Sequence, residues 1–145
     1  MKKIAISILL FLASLGSALA QQVHDYKILR VIDGDTVEIE APFLPVELKQ
    51  VFSLRLVGID TPEKGARAKC ERERERAAEA KKFVEDRIAA AKKVQVLLIG
   101  WDKYGGRVLG DVVLDGEYLS LTLIINNYAV MYNGSGRKKD WCDGR

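Results

Sequence analysis

Leu54-Arg55-Leu56-Val57-Gly58-Ile59-Asp60-Thr61-Pro62-Glu63 opens as a strand and ends as a turn. Leu54, Leu56, Val57 and Ile59 are apolar and β-prone, and no breaker precedes Gly58. Thr61 is pushed out of helical geometry by Pro62, which also removes a backbone donor. Two carboxylates, Asp60 and Glu63, are thereby expected at the mouth of a strand. Arg55 shares strand parity with Val57 and Ile59, which places its guanidinium on a face with apolar neighbours. Such an arginine needs an anion, either a carboxylate at the strand end or a phosphate held there.

Upstream, Tyr26 to Ile32 is rich in apolar and β-branched residues, Asp33-Gly34-Asp35 interrupts it, and Thr36 to Glu40 alternates polar with apolar. Asp-Gly between two β runs predicts a hairpin. Asp35 falls on the side of Val37 and Ile39 and is expected to point inward, the alternative being that it only shapes the turn, which is the default for Asp33. Ala41 to Gln50 holds Pro42 and Pro45 and reads as a loop without chemistry. Residues 1–20, with Lys2, Lys3, an apolar run from Ile4 to Leu15, and Ala18 and Ala20 before Gln21, read as a secretory signal peptide. The remainder, residues 21–145, is expected to be one soluble, exported domain, periplasmic or secreted. The chain carries 23 lysines and arginines against 20 aspartates and glutamates, so setting aside Lys2 and Lys3 leaves an excess of one. A polyanionic partner would have to be held by a local cluster of cations.

Downstream, Ala66 to about Val94 reads as a helix, with Ala77, Ala80, Val84, Ile88 and Ala91 at three-and-four spacing. Its charge run is expected to be a solvated face with Glu71–Arg74 and Glu73–Arg76 pairs. Val94 to Ile99 and Val108 to Leu114 read as strands around a glycine-rich loop that carries Lys103, Tyr104 and Arg107. A cationic loop with aromatics suits a phosphate flanked by a base. Leu119 to Val130 reads as a second, shorter helix, and Arg137 to Arg145 reads as a basic tail anchored by Trp141 and Cys142. The two cysteines, Cys70 and Cys142, favour a disulfide in an exported chain, with two unpaired thiols as the alternative. Their separation and the lack of a histidine partner argue against zinc. The lone histidine, His24, is expected on a solvent-exposed tail.

Three strands, a long helix, two strands and a short helix suit an α+β fold of OB type, a five-stranded Greek-key β-barrel with the long helix between strands 3 and 4. The chain resembles the staphylococcal nuclease family over roughly Tyr26 to Tyr132. Ile32-Asp33-Gly34-Asp35-Thr36, Leu54-Arg55-Leu56 with Asp60-Thr61-Pro62-Glu63, Asp102-Lys103-Tyr104-Gly105 with a following arginine, and Asp115-Gly116 stand in family order. The resemblance implies a calcium-dependent nuclease acting on DNA and RNA, single-stranded or frayed, as a monomer, and leaving the phosphate on the 3′ side. It implies Asp35, Asp60 and the Thr61 carbonyl as calcium ligands and Glu63 as the residue that holds or deprotonates the attacking water. By the same resemblance Arg55 and Arg107 grip the phosphate, Lys103 and Tyr104 lie near a further phosphate, and Tyr132 stacks on a base. The alternative is an inactive OB-type module that binds nucleic acid or oligosaccharide.

Overall fold

The computed structural model describes residues 22–143, so the signal peptide expected over residues 1–20 lies outside the described residues. In chain order the elements are β1 (Val23–His24), β2 (Ile28–Asp33), β3 (Thr36–Glu40), β4 (Val51–Leu56) and β5 (Ile59–Asp60). A 3-10 turn at Gly65–Arg67 leads to α1 (Glu71–Ala90), and β6 (Val94–Trp101), β7 (Val108–Leu114), β8 (Glu117–Tyr118), α2 (Leu119–Ile125) and β9 (Val130–Met131) complete the domain. The main sheet runs β1-β6-β7-β4-β3-β2, with β8 attached to β7. The five expected strands are thus present in the order 4-5-3-2-1, with β4 and β7 parallel where the Greek key crosses. The fold is α+β and OB-like, but the barrel is not closed by hydrogen bonds: among the described residues β2 and β1 remain as edges.

Alternation along the strands builds the core. Val37 pairs with Leu54 and Ile39 with Phe52 across β3 and β4. Val37, Ile39, Leu54 and Leu56 are at most 1 % exposed, and they meet Val84 from α1 and Leu119 and Leu123 from α2. Each such side chain contributes about 1.5–3 kcal/mol relative to exposure.

Several boundaries differ from the sequence expectation for identifiable reasons. The central strand starts at Val51 and ends at Leu56, because the chain turns at Val57-Gly58, where Gly58 takes φ +75°. Ile59 and Asp60 then pair separately with Met131 and Val130. Parity therefore does not carry across the turn: Arg55 lies opposite the core face formed by Leu54 and Leu56, not on a buried face shared with Val57 and Ile59. The long helix starts at Glu71, since Cys70 is extended and its sulfur accepts the Glu73 amide as an N-cap. Glu71 pairs with Arg74 as expected, but Glu73 is 3 % exposed and turned inward. The second helix stops at Ile125, and Asn127 takes φ +62° beyond its end. The opening residues are also ordered: β1 pairs with β6, and the half-buried His24 ring stacks on Tyr26, so His24 is not a free tail residue.

Two buried features lock the β7 layer. Asp111 accepts hydrogen bonds from the Val112 amide at 2.8 Å, the Ser120 amide at 3.2 Å and the Ser120 hydroxyl, satisfying the start of α2 that Tyr118 leaves without a side-chain cap. Gly110 faces β6 so closely that a Cβ would sit 1.9 Å from the Leu97 carbonyl oxygen and 2.8 Å from Leu54 Cδ1. Gly110→Ala is therefore expected to lose about 3 kcal/mol of stability by prising β6 from β7, read as a lowered urea midpoint.

Candidate functional site

A cleft of about 630 Å³ opens where the β2–β3 turn, β4, the chain leaving β5, the β6–β7 loop and the C-terminal tail meet. Asp35, Arg55, Thr61, Glu63, Lys103, Tyr104, Arg107 and Tyr132 all line it, so eight of the sequence-predicted residues converge on one place. Asp60 does not line the cleft; at 1 % exposure it lies behind the wall and meets it through Lys138.

The turn and β4 are fastened together before their side chains interact. The Leu56 amide donates to the Asp35 carbonyl at 2.8 Å, and Thr36 pairs in register with Arg55. Arg55 Nη1 then lies 2.6 Å from Asp35 Oδ2, while the Thr36 hydroxyl donates to Asp35 Oδ1 at 2.8 Å. Burial nevertheless pushes the Asp35 carboxyl up to about 6, against the opposing pull of Arg55 and with a further push from Asp33. Asp33, assigned to the turn from sequence, is thus part of the cleft's charge: it lines the wall, and its buried Oδ1 has no hydrogen-bond partner.

On the facing side, Arg107 donates through Nε and Nη2 to Asp102 Oδ2 at 3.1 and 2.7 Å. Asp102 also accepts the Tyr104 amide at 3.0 Å. That amide and the arginine hold the Asp102 carboxyl below the usual range. Between them the loop turns tightly: Gly105 takes φ +72°, and the Gly105 amide closes the turn on the Asp102 carbonyl at 2.8 Å. The Lys103 ammonium sits 5.0 Å from the Tyr104 ring centroid. Beside them Trp101, 60 % exposed, lines the cleft and begins an aromatic chain through Phe52 and Phe43 to Tyr26. Sequence reasoning missed this chain because its members are scattered over four segments.

The third wall carries the site's most specific contacts. Glu73, from the first turn of α1, accepts the Glu63 amide at 3.2 Å and the Lys69 amide at 2.7 Å, and so fixes the segment that presents Glu63. Glu63 pairs with Arg67 at 3.2 Å. Lys138, from the tail, lies 2.9 Å from Asp60 Oδ1 and 3.0 Å from Glu63 Oε1. The Trp141 indole donates to Asp60 Oδ2 at 3.2 Å, and the next residue, Cys142, forms the disulfide with Cys70. Tyr132 is held by its amide to the Gly58 carbonyl at 2.8 Å and by its hydroxyl to the Gly136 carbonyl at 3.3 Å. The basic tail and its anchoring by Trp141 and Cys142 were legible in sequence, but the choice of Asp60 as the partner of Trp141 and Lys138 carried no local signal.

Among the described residues, no three acidic, histidine or cysteine side chains converge into a ready-made metal cage. The donor set that is present suits a hard cation of open coordination. Asp35 and Asp60 offer carboxylates, Thr61 follows Asp60 with a backbone carbonyl, and water and a phosphate would complete such a shell. Asp33 Oδ1 is buried without a hydrogen bond, and Asp60 Oδ1 has the Lys138 ammonium 2.9 Å away, so Asp60 already takes a cationic partner from the chain itself.

A family model described as staphylococcal nuclease homologue matches residues 53–142. That span begins inside β4 and ends at the disulfide; the β2–β3 hairpin with Asp35 lies outside it and is brought to the site by its pairing with β4. No curated protein matches the chain.

The raised Asp35 carboxyl sets a pH dependence. Because its folded pKa lies above the unfolded value, protonation of Asp35 favours the fold; that contribution is complete below about pH 4. It is lost as the pH rises through about 6. Asp35→Asn, which cannot ionise, is expected to flatten this part of the stability curve between pH 4 and pH 6, measured by urea unfolding across that range in chelator.

Proposed function

The chain belongs to the staphylococcal nuclease family, and from that premise we propose that it is a calcium-dependent nuclease hydrolysing phosphodiester bonds of DNA and RNA to products with 3′-phosphates. The family carries a nuclease-like or OB-type nucleic-acid-binding function. The finer reading rests on one observation: two arginines and a glutamate from separate elements face the same cleft, each held in place by its own ion pairs. Phosphodiester hydrolysis asks for that set, a group to hold the attacking water and cations for the charge that builds on the phosphate oxygens.

In this mechanism Asp35, Asp60 and the Thr61 carbonyl would hold the calcium ion. When bound, calcium supplies Lewis-acid polarisation of the phosphate and neutralises its charge. Glu63 accepts a hydrogen bond from the attacking water at a carboxylate oxygen and orients it toward phosphorus, with Glu73 fixing the backbone that presents it. Arg55 and Arg107 donate to the phosphate oxygens, and the transition state, with more charge on those oxygens than the ground state, gains more from them. Lys103 and Tyr104 bind a neighbouring phosphate, Tyr132 stacks on a base, and the exposed Trp101 offers another stacking face. The open cleft admits single-stranded or frayed ends. We place the protein outside the cytoplasm, periplasmic or secreted, acting as a monomer. Among the described residues no helix is long and apolar enough to cross a membrane.

A nucleic-acid-binding module without cleavage is the second reading, favoured by the engagement of Glu63 with both Arg67 and Lys138. Purified protein lacking residues 1–20 is expected to cut heat-denatured DNA in calcium and to stop in chelator. Glu63→Gln and Arg55→Ala should each lower cleavage by about a hundredfold or more. Retained binding of denatured DNA with no cutting in calcium would favour the binding module, and cutting equal in all three proteins would reject the site assignment.

A further inference from the structure

Lys138 occupies a place that the fold prepares for a cation. Its ammonium bridges Asp60 Oδ1 at 2.9 Å and Glu63 Oε1 at 3.0 Å, one a wholly buried carboxylate and the other a cleft residue. The tail that delivers it is fixed at several points. Trp141 is 3 % exposed and donates to the second Asp60 oxygen, with Arg76 and Lys139 at 5.8 and 5.2 Å from its ring centroid. Cys142 is tied to Cys70, the N-cap of α1, three residues before the glutamate that anchors the Glu63 amide. A lysine on a free tail would lose side-chain and backbone freedom in reaching Asp60; the staple removes much of that cost beforehand.

We propose that Lys138 is a built-in competitor for the divalent cation, a tethered ammonium that neutralises Asp60 and Glu63 in the cation-free protein and sets how tightly the site binds calcium. This rests on reading the cleft as a calcium-dependent nuclease site. Two positive charges cannot both lie against Asp60 Oδ1, so calcium entry requires Lys138 to withdraw, and the free energy of the lysine contacts is subtracted from calcium binding. The stem of Lys138 is long enough to swing its ammonium toward solvent, where its side chain is already 40 % exposed. The Cys70–Cys142 bond acts through the same contact, because breaking it lowers the effective concentration of the lysine at Asp60.

The test is calcium titration calorimetry on the protein lacking residues 1–20, alongside Lys138→Met and Lys138→Arg, each with and without dithiothreitol. Lys138→Met should bind calcium about tenfold tighter than the unsubstituted protein, Lys138→Arg should stay close to it, and reduction should tighten the unsubstituted protein while leaving Lys138→Met unchanged. Calcium should also raise the melting temperature of Lys138→Met by more than that of the unsubstituted protein, since the ion takes over the vacated place. Equal or weaker binding by Lys138→Met overturns the proposal, as does a Lys138→Met protein that stays unfolded in saturating calcium, or calcium binding by none of the proteins. Cleavage of denatured DNA by the same samples separates the two ideas. Tighter calcium binding by Lys138→Met without any cleavage rejects the nuclease reading alone, and cleavage by the unsubstituted protein with unchanged calcium affinities rejects the role of Lys138 alone.

Discussion

The alternation in Leu54-Arg55-Leu56 ties the core to the cleft. Leu54 and Leu56 are wholly buried, so the strand cannot slip by one residue without driving Arg55 into the core and expelling both leucines. This constraint fixes the register of β3 against β4, which sets Thr36 opposite Arg55 and brings Asp35 within ion-pair distance. It equally fixes β7, whose parallel pairing sets Leu109 beside Arg55 and carries Arg107 to the same opening. A strand with two demanding faces makes core stability and site geometry one property, and substitutions on either face act on both.

The tail solves a different problem. Asp60 is enclosed by its neighbours, and an enclosed carboxylate without a partner is costly. The chain supplies partners from beyond β9: an indole for one oxygen and an ammonium for the other. Because these come from a segment with little regular structure, their position depends on the covalent link to α1 more than on secondary structure. The same helix start serves twice, Cys70 anchoring the tail and Glu73 anchoring the loop that bears Glu63. The disulfide therefore belongs to the organisation of the cleft as much as to the stability of the domain.

Most of this arrangement was legible in sequence wherever the signal was local. The Asp-Gly turn, the Thr-Pro stop after β5 and the apolar alternation of the strands located the hairpin, the central strand and the residues at their ends. What was not legible depended on partners distant in the chain. Glu73 sits in a run that suits a solvated helix face, and only the approach of Glu63 and Lys69 reveals it as an internal acceptor. The parity assigned to Arg55 failed because a φ-positive glycine separates Ile59 from the strand, and periodicity holds only along unbroken backbone. Lys138 and Trp141 find Asp60 across about eighty residues, a separation over which no pattern in sequence reports.

Charge balance in the cleft also bears on how ligands would enter it. Arg55 is paired with Asp35, Arg107 with Asp102, and Arg67 and Lys138 with Glu63. With so little excess charge on the whole chain, a polyanion gains little from long-range attraction and must compete with these internal carboxylates for the guanidinium groups. On the nuclease reading, a divalent cation changes that competition. By engaging Asp35 and Asp60 it weakens their hold on Arg55 and Lys138, and the freed cations then favour a phosphate; a phosphate drawing on Arg55 in turn leaves Asp35 in need of the cation. The two ligands are thereby coupled through shared partners, with no conformational change beyond side-chain exchange, and the coupling is reciprocal by linkage. On that reading, a cleft whose cations are paired with its own carboxylates when empty would gain affinity for the phosphate and its cation together more than for either one alone.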